Sequence, residues 1–104
     1  MSRPLTLAVL LFVDSERVED FERFEASAVE IMSRYGGAIE RRICFPPGED
    51  SSQPRELHVV TFADRDAFDR YRRDPDLARL GDLRARAIRR TVVWQGVEAP
   101  PFRR

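Results

Sequence analysis

His58 is the only histidine in the chain, and so the only side chain whose ordinary pKa lies near neutrality. An imidazole can take up a proton at physiological pH, which is what proton abstraction or oxygen activation asks of a general base. Glu56 stands two residues earlier, in the segment "RELHVVTF" (55–62), whose residues suit a strand. Strand parity puts both side chains on one face. The spacing is too short for the carboxylate to orient the ring unless both side chains bend. The competing reading is an inert, hydrogen-bonded histidine at the start of a strand. Arg42, Arg84 and Tyr35 are candidates to line the same cavity and hold a carboxylate or enolate, Arg84 with a bidentate fork. Ion pairs that support the fold are the other use of such arginines. Trp94 is read as a pocket wall, or else as filler in a core or dimer contact.

Several chemistries lack their residues. Cys44 is the sole cysteine, so no internal disulfide forms, and no base or helix start lies near it in sequence to make it a nucleophile. One histidine and one cysteine give no metal-ligand spacing, and no metal or other cofactor is expected. "RYGGA" is glycine-rich but lies at the end of a helix, the wrong end to cradle phosphate.

These residues must be positioned by one domain, since 104 residues bury a single modest core. Charges balance at 18 against 18, so no overall field draws the chain to nucleic acid or acidic lipid. Every basic residue is arginine, which fits either anion recognition or the codon bias of a GC-rich genome. The apolar run Leu5–Val13 follows Arg3 as in a signal peptide. It has no cleavage site after it and is too short to span a bilayer, so it is read as a strand of a cytoplasmic protein.

Beyond that first strand, Val18, Phe21, Phe24, Ala28, Ile31, Met32 and Tyr35 recur at helical spacing. Asp14 or Ser15 is the expected cap of this helix and Gly36-Gly37 its exit. Ala38–Phe45 reads as a second strand, with Glu40 and Arg42 on one side and Ile39, Ile43 and Phe45 on the other. The stretch 46–54 reads as a long hairpin loop, and Leu57–Phe62 as the third strand. Asp64 caps a second helix, and Asp74-Pro75 restarts it. The restarted piece runs to about Arg90, with Leu77, Leu80, Leu83 and Ile88 inward and a break or bend at Gly81. A last strand covers 91–98, so the domain is 1–98 and 99–104 is a tail.

The order β-α-β-β-α-β predicts a ferredoxin-like α+β fold, a four-stranded antiparallel sheet with its helices on one face. RNA-recognition domains share this plan. Here, however, Leu57 and Val59 replace the two third-strand aromatics on which bases stack, and Phe12 alone remains as a platform. The open face instead offers Ala8, Leu10, Phe12, Leu57, Val59 and Thr61, too apolar to stay in water. A second copy placed face to face would cover it, so a homodimer is expected and nucleic acid and membrane are not.

"RYGGAIERR", "VVTFADRDAFDRYRRDP" and "LGDLRARAIRRTVVWQGVE" resemble the dimeric α+β-barrel superfamily, and within it an uncharacterised branch of small bacterial proteins. The likeness spans roughly residues 5–98 and rests on a Tyr-Gly-Gly helix end, a Phe-rich exit from the third strand and the pair Leu83-Arg84. It implies a dimeric barrel whose relatives include cofactor-free monooxygenases, isomerases, lyase-like enzymes, haem-degrading proteins and stress-response proteins. His58 does not sit where the haem-degrading members carry their axial ligand. The leading reading is a dimer that binds a small apolar or carboxylated molecule, as a cofactor-independent oxygenase or isomerase with His58 as acid–base group. The second is a non-catalytic structural or ligand-sensing homodimer, and the third an RNA-binding module.

Overall fold

The computed structural model describes residues 3–47 and 52–103 of the chain. The apolar run becomes β1 (Leu5–Val13), which pairs on both sides and so lies inside the sheet. Its neighbours are β3 (Glu56–Phe62) and β4 (Ile88–Gly96), and β2 (Ala38–Cys44) closes the other edge. The four strands are antiparallel in the order β2-β3-β1-β4, the ferredoxin-like α+β arrangement expected from the sequence. Residues 48–51, within the stretch read as a long hairpin loop, lie outside the described residues. Among the described residues no helix is long and apolar enough to cross a membrane.

Helix α1 (Val18–Ser33) buries Phe21, Phe24, Ala28, Ile31 and Met32, the stripe that its spacing foretold. Its start differs from expectation. Asp14 accepts the Glu16 N–H at 3.0 Å, which closes a turn before the helix, and Arg17 occupies the cap position with no side-chain hydrogen bond. Glu19 and Asp20 in the first turn still favour the positive end of the helix dipole. At the exit Gly36 takes φ +72°, the left-handed geometry that glycine adopts without strain. A side chain on Gly37 would collide with Phe62 and Met32.

The second helical region is three short pieces: α2 (Arg65–Arg72), α3 (Pro75–Arg79) and α4 (Gly81–Ala87). Asp64 caps α2 by accepting the Ala67 N–H at 2.8 Å, and Asp74 caps α3 through the Asp76 N–H at 2.7 Å. Gly81 opens α4 where a bend was expected, and the helix stops at Ala87, short of Arg90. Ile88 is already in the sheet opposite Val13, and the Asp14 N–H donates to the Ala87 carbonyl at 2.9 Å. The β-branched residues Ile88, Thr91, Val92 and Val93 gain more from the ladder than from another helical turn.

A bulge in β2 also alters which side chains share a face. Ile39 pairs with Val60 and Arg41 with Val59, leaving Glu40 as the extra residue. Arg42 therefore sits opposite His58 on the helix side, while Ile43, opposite Leu57, points to the open face. The expected grouping of Ile43 with Ile39 is corrected by this one residue.

Helices and sheet enclose two apolar clusters. One holds Leu11, Val13, Phe21, Phe24, Ala28, Ala87 and Ile88; the other holds Leu7, Met32, Val60, Phe62 and Phe68. Val9 touches both, in the middle of the central strand.

Candidate functional site

Between the two clusters the packing does not close. A cavity of about 320 Å³ lies under the helices, with apolar walls that include Leu7, Val9, Phe24, Met32, Val60 and Phe62. Its polar groups are Glu25, His58, Tyr71, Arg72, Arg84 and Thr91. A shallower outer cleft, lined by Phe21, Glu22, Ala26, Val29 and Arg42, shares Glu25, Ile39 and His58 with the cavity. These three residues form the partition between the two spaces.

His58 is 3% exposed, and the β3 register holds it beside Arg42 of β2 and Val9 of β1. Arg42 grips Glu56 with both arms of its guanidinium, Nε to Oε1 at 2.6 Å and Nη2 to Oε2 at 2.8 Å. His58 Nε2 lies 2.8 Å from the same Oε1. The side chains do bend, and Glu56 orients the ring in spite of the short spacing. Burial works to raise the Glu56 pKa, but the hydrogen bonds from Arg42 and His58 outweigh it and hold the carboxyl below its ordinary value. The Arg42 guanidinium is held above its ordinary pKa by its own hydrogen bonds to Glu56.

An ionised Glu56 only accepts, so Nε2 carries the hydrogen and the lone pair of the neutral ring falls on Nδ1. Nδ1 lies 3.9 Å from Glu25 Oε2, just beyond hydrogen-bond reach. Burial pushes the Glu25 pKa up and the charge of Glu56 adds to it, against the lowering pull of His58, Arg42 and Arg84. Burial, and then the negative charge of Glu25, push the Tyr71 hydroxyl up to about 12. Arg84 donates from Nη2 to the Thr91 hydroxyl at 2.8 Å across the cavity's α4–β4 corner.

The residues put forward from the sequence thus divide. His58 and Arg84 line the cavity; Arg42 lies behind His58 and acts on it only through Glu56. Tyr35 is elsewhere. Its hydroxyl donates to Asp74 at 2.5 Å and Arg70 lies over its ring, so it ties the end of α1 to the start of α3. Trp94 is on the opposite face of the sheet, beside Ala8, and 62% exposed, so it is no wall of this cavity. No three-way carboxylate clamp of Arg42, Arg84 and Tyr35 exists. Glu25 and Tyr71 are site residues that the sequence reading did not single out. Glu25 had left a trace: it falls four residues after Phe21 and three before Ala28, a carboxylate on the apolar stripe. Among the described residues no group of three or more His, Cys, Asp or Glu side chains is arranged to hold a metal ion.

Neither a protein-family model nor a curated protein matches the sequence. Solved structures do match in shape. A protein of unknown function from Rhodopseudomonas palustris superimposes with TM-score 0.81 at 14% identity, over 97% of this chain and 86% of that one. SnoaB, a cofactor-independent oxygenase from Streptomyces nogalater, gives TM-score 0.71 at 14% identity, over 96% and 97% of the two chains. A dimeric protein of unknown function and ferredoxin-like fold from Bacteroides fragilis gives 0.65 at 13% identity, over 91% and 96%. At these identities the likeness shows a shared ferredoxin-like fold.

Proposed function

We propose that this protein is a homodimer that binds a small, mainly apolar molecule between sheet and helices and moves a proton on it with His58. That is the chemistry of a cofactor-independent oxygenase or isomerase, carried out in the cytoplasm. The observation that carries the reading is a cavity of about 320 Å³ that reaches a buried histidine with one nitrogen committed to Glu56 and the other turned toward Glu25. A general base must be oriented and must keep its lone pair available, and this ring meets both demands. The likeness to a cofactor-independent oxygenase supports the same class of chemistry. A filled pocket would have favoured the non-catalytic reading. Against the RNA reading stands the burial of Phe12, whose centroid has the Arg90 guanidinium 5.2 Å away.

Assembly through the open face rests on Leu10, Leu57, Val59, Val92 and Trp94, which share that face with Ile43. The test of function is to incubate the protein in D2O with a panel of apolar ketones, enols and phenols, following deuterium uptake by mass spectrometry and oxygen uptake at an electrode. Turnover of one panel member should vanish in His58→Ala while the dimer persists in sedimentation. Unchanged turnover in that variant removes His58 from the chemistry.

A further inference from the structure

We infer that Glu25 and His58 together form a receptor for a single hydroxyl group, so that the ligand is an apolar alcohol, enol or phenol rather than a carboxylate. The inference rests on the reading that the cavity takes a small apolar molecule, and it names the group by which that molecule is held. His58 Nδ1 and Glu25 Oε2 are 3.9 Å apart and both line the cavity. Two polar atoms at that separation are too far apart for a good hydrogen bond with each other. An oxygen atom set roughly 2.8 Å from each completes a triangle with an apex of about 90°, an ordinary arrangement for a hydroxyl that donates once and accepts once.

The polarity of the two atoms selects among oxygens. Nε2–H is given to Glu56, so Nδ1 is an acceptor and needs a donor from the ligand. Burial raises the Glu25 pKa; when this carboxyl holds the proton it donates and Nδ1 accepts, and when the proton sits on Nδ1 the two roles exchange. The charged and titratable groups that face Glu25 are His58 and Glu56 from β3, Arg42 from β2, Arg84 from α4 and Tyr71 from α2. A hydroxyl satisfies both partners. A carbonyl or ether oxygen can accept from whichever partner holds the proton but has nothing to donate to the other. A carboxylate accepts only, so it cannot meet both partners, and it brings a negative charge toward Glu56. Of the guanidiniums near it, Arg84 in the cavity lining already donates to Thr91, and Arg42, in the outer cleft, is bound with both arms to Glu56. Unmet polar groups in a buried site are the strongest source of discrimination between close analogues.

The experiment measures binding of four two-ring probes to the intact protein by calorimetry at pH 7: 2-naphthol, 2-methoxynaphthalene, naphthalene and 2-naphthoate. The expected result is that 2-naphthol binds at least tenfold more tightly than each of the others, and that Glu25→Ala reduces its advantage over naphthalene to less than threefold. Equal affinity for 2-naphthol and 2-methoxynaphthalene, or tighter binding of 2-naphthoate, overturns the hydroxyl receptor and leaves the apolar cavity standing. Failure of all four to bind overturns the cavity reading itself and the receptor with it. The wild-type series decides the matter even if Glu25→Ala does not fold.

Discussion

Leu57 and His58 are neighbours in β3, yet they face different surroundings. His58 turns to the helices, where its ring is surrounded by Glu56, Glu25 and an apolar cavity. Leu57 turns away, onto a surface formed with Leu10 and Ile43, where Trp94 and Ile43 are 62% and 41% exposed. One face hides polar groups inside apolar walls, and the other shows apolar groups to water. Each large side chain on the exposed face represents about 1.5–3 kcal/mol when covered. The difference teaches that a strand's period of two is enough to give a single thin sheet two unlike faces, one suited to the proposed chemistry and the other to the proposed association.

Substituting adjacent residues of β1 tests that division. Leu10→Arg should have the largest effect. In the proposed dimer it would by symmetry place two arginines in the contact, weakening association on the order of a thousandfold or more, a cost of several kcal/mol. Sedimentation should show the mass halved, and an unchanged mass would move the interface elsewhere. Leu11→Ala, one residue on and pointing the other way, should cost about 2–5 kcal/mol of folding stability in a urea titration. At concentrations where the variant is folded it should remain a dimer.

Two glutamates sharpen the account of the helix side. The Glu56 carboxyl has a pKa below its ordinary 4.5, so its contribution to stability is complete above about pH 4.5 and is lost as pH falls through the lowered value. Glu56→Gln should therefore cost about 1.5–3 kcal/mol at pH 7, the range for a hydrogen bond to a charged partner, and progressively less in acid. Glu25 behaves oppositely. Its raised pKa means a contribution complete below about pH 4.5 and lost as pH rises through the raised value. Glu25→Gln should consequently raise the melting temperature at pH 8 and leave it unaltered at pH 4. An equal shift at both would show that ionisation of Glu25 carries no folding cost. This is the smallest of the expected effects, because the Glu25 side chain keeps 20% of its surface in water.

Periodicity made the fold readable. The stripe of α1, the alternation in β3 and the caps at Asp64 and Asp74 are local signals, and each appears where its pattern lies. His58 and Glu56 were placed on the helix side by parity alone, and Arg84 entered as a cavity residue. What parity does not carry is a count of unpaired residues. The bulge at Glu40 exchanges the faces of Arg42 and Ile43 relative to Ile39, and nothing in the letters marks it. Tyr35, and Trp94 in its reading as a pocket wall, lie away from the cavity for a related reason. Where such an aromatic points depends on what lies next to it, Asp74 for Tyr35 and the open sheet face beside Ala8 for Trp94. The other reading of Trp94, as filler in a dimer contact, agrees with the face it occupies. Glu25 was legible as an irregularity in the stripe, but its meaning depends on a contact across the core with β3.

The extra residue in β2 has a consequence for comparing chains of different length. Removing Glu40 would leave Ala38, Ile39, Arg41 and Arg42 opposite Thr61, Val60, Val59 and His58 in an unbroken ladder, with the same guanidinium against the same carboxylate. A relative one codon shorter at this point would keep the site whole, and an alignment gap at position 40 is therefore a mark of preservation.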